Sequence, residues 1–303
     1  MIASLRCPLP VCSFNSFKST PCTAAFVGSS CKKSGRFKVK ATASQQEDDF
    51  HVLTAIQTRH NNIVIVDTCE SRLLLLDSTH NVHSMLNKES KWTGSYWDEF
   101  SALPAVVPPG PIAIFGLGGG TAAHLMLDLW PSLQLHGWEI DEILTHLSRD
   151  YFGLSDLEKH TREGGLLSIH IGDVFSPEAA ISGGYAGIIV DLFAEGKVLP
   201  QLEQAATWLQ LSDKLMPGGR FMVNCGGAGE GDAVSRDNDS WKLNAAIRAL
   251  CEAFSGQVNW KKMPKGAGEN YLALTGILPD LSAWCAALPF QLSSSINQWD
   301  TCN

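Results

Sequence analysis

The sequence predicts an α/β fold in which a mainly parallel sheet, with helices on both faces, follows a small β-rich N-terminal domain. Three observations lead there. From Pro111 onward, apolar runs of strand length alternate with stretches of helical spacing, the pattern of right-handed β-α-β crossovers. A glycine run, Gly116-Leu117-Gly118-Gly119-Gly120, joins the first of those strands to the first of those helices. Ahead of it, three short apolar runs are separated by Asn, Asp, Ser and Thr, as in a β-meander.

In chain order, strands are expected at 51–58, 62–67 and 72–77. So small a sheet buries too little apolar surface to stand alone and should pack on the larger domain C-terminal to it. Helical spacing from Tyr96 to Leu103 is ended by Pro104, Pro108, Pro109 and Pro111, which separates a domain of residues 42–107 from one of residues 108–279. In the second domain, strands are expected near 112–116, 133–139, 166–172, 185–191 and 220–225, with helices at 120–130, 141–151 and 200–215. A helix at 239–254 and strands near 257–262 and 270–277 complete it, and residues 280–303, with few periodic signals, read as a tail.

The 303 residues, 45% of them hydrophobic, can fill a substantial core. Gly, Asp, His or Pro interrupts every apolar stretch before the roughly 18–20 residues that a membrane span needs, so no integral membrane segment is expected. Residues 1–41 differ in kind, with seven Lys and Arg, many Ser and Thr, and no Asp or Glu. That composition reads as an organelle transit peptide, since Pro8, Pro10 and Pro21 break the apolar core a secretory signal requires. The Ser-rich start, the later basic cluster and Val39-Lys40-Ala41 point to a chloroplast address, with the mitochondrion as the alternative. Losing these residues takes the formal net charge from −8 to −15. So acidic a surface repels phosphate backbones and argues against a nucleic-acid partner. Of nine cysteines, Cys69, Cys225, Cys251, Cys285 and Cys302 remain, without a C-x-x-C pair or zinc spacing, so no structural metal is expected.

The chemistry-bearing residues fall at predicted strand ends. Gly116, Gly118 and Gly120 would let the chain turn sharply and a ligand approach the main chain. Read from Gly116 the loop is G-x-G-x-G, as in adenosylmethionine enzymes; read from Gly118 it also fits the dinucleotide form G-x-G-x-x-A ending at Ala123. Glu139 ends the next strand, where a carboxylate can accept both ribose hydroxyls, and Asp141 is expected to cap the following helix. At the end of the third strand, Asp173 can take a hydrogen bond from an adenine amino group while the Val174 amide meets a ring nitrogen. Asp191 ends the fourth strand, in the crevice where ligands of such sheets react. These acids, with the Pro217-Gly218-Gly219 turn, favour an adenosyl sulfonium over nicotinamide and a Rossmann-like domain of the methyltransferase type.

On these residues the chain, from about 51 to 277, resembles the spermidine synthase family of aminopropyltransferases. Leu73-Leu74-Leu75-Leu76-Asp77 resembles that family's strand before its substrate loop, and Tyr96 to Pro104 its Tyr-Gln-Glu helix. The resemblance implies S-adenosylmethionine or its decarboxylated form as co-substrate, Asp191 as the base on the acceptor side, Tyr96 as a gate, and a homodimer joined partly through the β-domain. Three positions depart from the family pattern: Gly119 stands where the family has an Asp for the aminopropyl amine, Trp97 where it has Gln, and Ala194 where it has a second acid, which leaves Glu195 as a candidate substitute. The expected acceptor is a small amine or another small molecule. Methyl transfer, a catalytically silent nucleoside-binding role and a nicotinamide-dependent oxidoreductase are the competing readings.

Overall fold

The computed structural model describes residues 50–227, 240–264 and 270–302; the segment read as a transit peptide lies outside them. The N-terminal part is an antiparallel sheet in the order β1 (His51–Gln57), β2 (Asn62–Asp67), β3 (Ser71–Leu75) and β4 (Ser84–Asn87). The sequence predicts three of these strands. The fourth has only Met85 and Leu86 as apolar residues and no period to read; it is fixed by its ladder with β3 and by Thr121, whose hydroxyl meets both the amide and the carbonyl of Met85.

The next helix, α1, is shorter than predicted, spanning Tyr96–Phe100, and a 3-10 turn at Leu103–Val106 comes after it because Pro104 supplies no amide for continued α-bonding. The chain then forms β5 (Ile112–Phe115), α2 (Thr121–Leu129), β6 (Gln134–Glu139), α3 (Glu142–Phe152), α4 (Leu154–Leu157), β7 (Leu166–Ile171) and β8 (Tyr185–Val190). A two-stranded hairpin, β9 (Phe193–Ala194) with β10 (Lys197–Val198), leads to α5 (Ala205–Ser212), β11 (Leu215–Asn224), α6 (Ala245–Ala253), β12 (Val258–Lys262) and β13 (Tyr271–Thr275). The predicted helix at 200–215 is thus only partly α-helical, with a 3-10 turn at Pro200–Glu203, while Leu215 already pairs with Tyr185. A register shift between Leu215 and Arg220, spanning the Pro217-Gly218-Gly219 turn, carries the strand onward.

Within residues 280–302, where the sequence shows few periodic signals, the chain forms regular elements. These are α7 (Leu281–Ala286), α8 (Phe290–Ile296) and a short strand, β14 (Asp300–Thr301), that pairs with β12. Trp284 and Trp299 stack with ring centroids 5.9 Å apart, and the Trp284 indole donates to the Ala102 carbonyl at 3.0 Å.

The main sheet runs β14-β12-β13-β11-β8-β5-β6-β7, parallel from β11 to β7 and antiparallel at the other end. β5 and β8 are buried along their whole length, as central strands covered on both faces must be. Ile112 and Ile114 face one core, with Met126 and Trp284; Ala113 and Phe115 face the other, with Tyr185 and Phe221. The chain leaves β5 toward β6 and β7, then returns to place β8 on the other side of β5. That reversal opens a crevice at the carboxyl ends of β5 and β8.

The N-terminal sheet packs on this domain through Ile63, Ile65 and Leu74 against Leu144 and Phe152. Asp141 reinforces the contact: one carboxylate oxygen caps α3 at the Ile143 and Leu144 amides, and the other accepts from Thr58 and Asn61 in the β1–β2 turn.

Candidate functional site

Gly116, Gly118 and Gly120 adopt φ values of +87°, +54° and +78°, so the turn after β5 uses the left-handed region at three positions. Close approach adds a second requirement at Gly116, where a Cβ would lie 2.3 Å from the Asp191 carbonyl oxygen. The glycine loop and the end of β8 are therefore in direct contact at the reversal point of the sheet.

Every amide of the loop has a partner within the protein. Gly116 and Leu117 donate to the Trp138 carbonyl, Gly118 to Glu139 Oε2 at 3.0 Å, Gly119 to Ser84 Oγ at 2.8 Å, and Gly120 to the Leu117 carbonyl. Glu139 Oε1 also accepts from the Ile140 and Asp141 amides. Burial raises the Glu139 pKa against the pull of these three amides. Three of the carboxylate's roughly four acceptor positions are thus filled by backbone amides.

Asp173 lies one strand further along the rim. The Gly172 amide donates to the Glu139 carbonyl at 2.9 Å, which ties the two strand tips together. The Asp173 side chain is exposed and accepts from the Phe175 amide at 2.9 Å, while Val174 is buried in the core below. Ile140 and Ile171 flank these acids and are each 45% exposed, which leaves an apolar surface on the rim beside two carboxylates. Motif reading missed both isoleucines, because an exposed and a buried isoleucine at a strand end look alike in sequence.

Asp191 is held from three sides. Tyr96 Oη and Trp97 Nε1 each donate to Oδ2 at 3.2 Å, and Asn224 Nδ2 donates to Oδ1 at 2.9 Å. Burial outweighs these donors and pushes the carboxyl up to about 6. Burial, with the Asp191 charge, also raises the Tyr96 phenol well above its usual range. Asn224, at the end of β11, was not legible as a site residue: a buried Asn after an apolar strand carries no motif. Its Oδ1 accepts from Gly226 and Asn270, which fixes the amide aimed at Asp191.

Glu195 is placed elsewhere. It occupies the turn between β9 and β10 with φ +49°, exposed, its carboxylate 3.4 Å from Ser78 Oγ, and it is not among the partners of Asp191. The neighbouring Gly196 amide donates to Asp77 Oδ2 at 2.9 Å, so the hairpin docks on the segment after β3. His83 Nε2 lies 3.3 Å from the same Asp77 oxygen without hydrogen-bond alignment, and burial lowers its pKa despite that carboxylate.

Between the glycine loop and Asp191 remains a cavity of about 10 Å³, bordered by Ser84, Trp97, Phe100 and Thr121. That is room for one water. Gly119 explains the closure, because a Cβ there would meet the Ser84 side chain at 2.8 Å and the Phe152 ring at 3.1 Å. Among the described residues, no group of three or more His, Cys, Asp or Glu is arranged to hold a metal ion, and no helix is long and apolar enough to cross a membrane.

No protein-family model matches the chain. Over 167 residues, 54% of its length, the sequence is 26% identical to a probable polyamine aminopropyl transferase of Bifidobacterium longum (strain NCC 2705), and the match spans about a third of that relative, 35%. In fold the chain is similar to a probable spermidine synthase from Corynebacterium glutamicum ATCC 13032, with a TM-score of 0.56 at 17% identity over 78% of this chain and 86% of that one. A spermidine synthase in complex with the transition-state analogue AdoDATO gives a TM-score of 0.54 at 17% identity, over 74% and 73% of the two chains. The chain has the fold of the spermidine synthases, a four-stranded antiparallel sheet ahead of a mainly parallel one.

Proposed function

We propose that the protein is a spermidine-synthase-like transferase that takes S-adenosylmethionine or its decarboxylated form and transfers a group to a small amine. Asp191 carries the proposal: a half-buried carboxylate with its pKa pushed up to about 6, at the reversal point of the sheet and against the glycine loop. In this reading Glu139 binds the ribose, Asp173 and the Val174 amide bind adenine between Ile140 and Ile171, and Gly116, Gly118 and Gly120 lie beneath the amino-acid-derived chain. The neutral acceptor amine attacks the carbon next to the sulfonium, the carbon–sulfur bond breaks to give a neutral thioether, and the amine's proton passes to Asp191. A base with a pKa near 6 is ionised at neutral pH and suits that transfer. Tyr96 and Trp97 hold Asp191 on the acceptor side, and Glu195 acts only as a remote charge at the mouth. A homodimer, a chloroplast address carried by residues 1–41 and exclusion of nucleic acid belong to the same proposal.

A second reading rests on Ser84. A hydroxyl stands over Gly119 and leaves Asp191, among the described residues, as the lone acid lining the cavity there, with no second carboxylate for another ammonium, which favours methyl transfer or silent nucleoside binding over aminopropyl transfer. Titration calorimetry with S-adenosylmethionine, its decarboxylated form, methylthioadenosine and NAD comes first. Binding of the adenosyl compounds and not NAD is expected, and the reverse would overturn both readings. Turnover with putrescine and the decarboxylated co-substrate, lost in Asp191→Asn, supports aminopropyl transfer; tight binding with no transfer to any amine supports the second reading.

A further inference from the structure

The helix that carries Tyr96 and Trp97 is also held by β12 and the C-terminal segment. A helix of five residues is too short to keep its own shape, so contacts with the rest of the chain set where its side chains stand. Asp98 ties the start of α1 to the turn before it, accepting from the Thr93 and Gly94 amides and the Thr93 hydroxyl, and Phe100 is buried in the core. Glu99 reaches further. Its Oε2 lies 2.6 Å from Lys261 Nζ on β12 and accepts from Ser295 Oγ on α8 at 2.9 Å. The Lys261 side chain is 0% exposed and that of Glu99 8%, and the Trp284 indole on the Ala102 carbonyl holds the chain just past α1.

An apolar pair of similar volume would serve stability about as well, because taking two charges out of water costs about as much as their attraction gains. The difference lies in direction. Apolar side chains tolerate sliding, whereas a carboxylate bonded to both an ammonium and a hydroxyl fixes one rotation and one height of the helix that carries it. Asp191 needs that fixing. The bonds it accepts from Tyr96 Oη and Trp97 Nε1 are 3.2 Å each, at the long end of the hydrogen-bond range, so a shift of α1 by about half an ångström would end them.

We propose that Glu99 and Lys261 are positioning residues for the candidate site, a buried pair that holds α1 at the setting where both donors reach Asp191. The role rests on the proposed function in taking Asp191 as the base. It assigns the C-terminal segment a part in the site through Ser295, without placing any of its side chains against a substrate.

The test compares Glu99→Gln, Lys261→Met and the double variant in the full chain, without ligand, through the indole N–H signals of isotope-labelled tryptophan, with Trp97 identified by its loss in Trp97→Phe. In the double variant both charges leave together, so their direct effects on Asp191 largely cancel and the signals report geometry. Glu99→Gln alone keeps an acceptor for Ser295 and gives the same comparison if the double variant folds poorly. With stability largely recovered in the double variant, exchange of the Trp97 indole proton is expected on the order of tenfold faster than in the wild type. The pH midpoint at which that signal follows Asp191 should move upward from about 6, since weaker donors leave burial less opposed. Trp208, whose indole donates to the Leu202 carbonyl at 2.8 Å in the other core, should be unchanged. Wild-type exchange and titration of Trp97 in these variants would reduce the pair to a staple for α8 and overturn the role, as would equal loss of protection at Trp97 and Trp208, which marks general loosening. Absence of turnover with every acceptor would sink the proposed function and leave these readings intact.

Discussion

Trp97 and Tyr96 both donate to one oxygen of Asp191, yet the carboxyl still titrates near 6 rather than its usual 3.8, because burial outweighs the donors. The folded state therefore binds this proton more tightly than the unfolded chain does. Stability from Asp191 is complete below the unfolded value and is lost as pH rises through about 6. A shift of about two units corresponds to about 3 kcal/mol. Urea unfolding from about pH 4 to about pH 7 should show the wild type losing about that much relative to Asp191→Asn, and parallel curves would place the carboxyl in water. Trp97→Phe keeps the ring but removes the indole donor, whose bond to a charged group is worth about 1.5–3 kcal/mol. It should raise the Asp191 pKa by about one unit or more and move the acidic limb of any pH–rate profile upward with it. An unmoved limb would mean that Trp97 is packing alone.

At the scale of elements, β5 through β8 and the glycine turn were legible because continuous apolar runs, glycines and strand-end acids occur in one order, and Gly116, Glu139, Asp173 and Asp191 stand at the tips the alternation predicts. What the sequence hid is set by contacts between distant segments. β4 is fixed by Thr121, α7 by the bond of Trp284 to the Ala102 carbonyl, and α8 by Ser295, which meets both members of a buried ion pair between Lys261 and Glu99, with Lys261 Nζ also 5.2 Å from the centre of the Trp299 ring. Ser84 over Gly119 was illegible for the same reason, since nothing in either segment announces its partner. Removing one member of the ion pair leaves the other charge buried, so Lys261→Met should cost about 3–5 kcal/mol in denaturant unfolding. Lys261→Met with Glu99→Gln should recover most of that loss; a double variant no better than the single one would assign the cost to packing instead. At the loop, Gly119→Ala meets Ser84 and Phe152 and should cost about 1–3 kcal/mol, relieved by Ser84→Gly, which makes room for the new methyl.

Across the whole molecule, the question is whether the N-terminal sheet is a separate folding unit. Its buried residues Ile63, Ile65 and Leu74 meet Leu144 and Phe152 of α3, so the core that stabilises the sheet belongs to both parts. Polar ties run the same way: Arg72 Nη1 donates to the Tyr151 carbonyl at 2.6 Å, and Thr58 and Asn61 hold the carboxylate that caps α3. A four-stranded sheet with β1 exposed along nearly its whole length has little else to bury. Ile65→Ala should therefore lower the stability of the whole chain by about 2–5 kcal/mol while keeping one transition. Asp141→Ala, which removes the α3 cap and both ties, should do the same by about 2 kcal/mol, a cap alone being worth about 1. Urea unfolding followed in parallel by far-ultraviolet circular dichroism and tryptophan fluorescence is the measurement. All nine tryptophans lie C-terminal to the N-terminal sheet, so coincident curves that shift together in both variants mean one cooperative unit. A circular-dichroism transition that separates and moves alone in Ile65→Ala would mean that the sheet opens independently, exposing Ser84 and the glycine loop before the main domain unfolds.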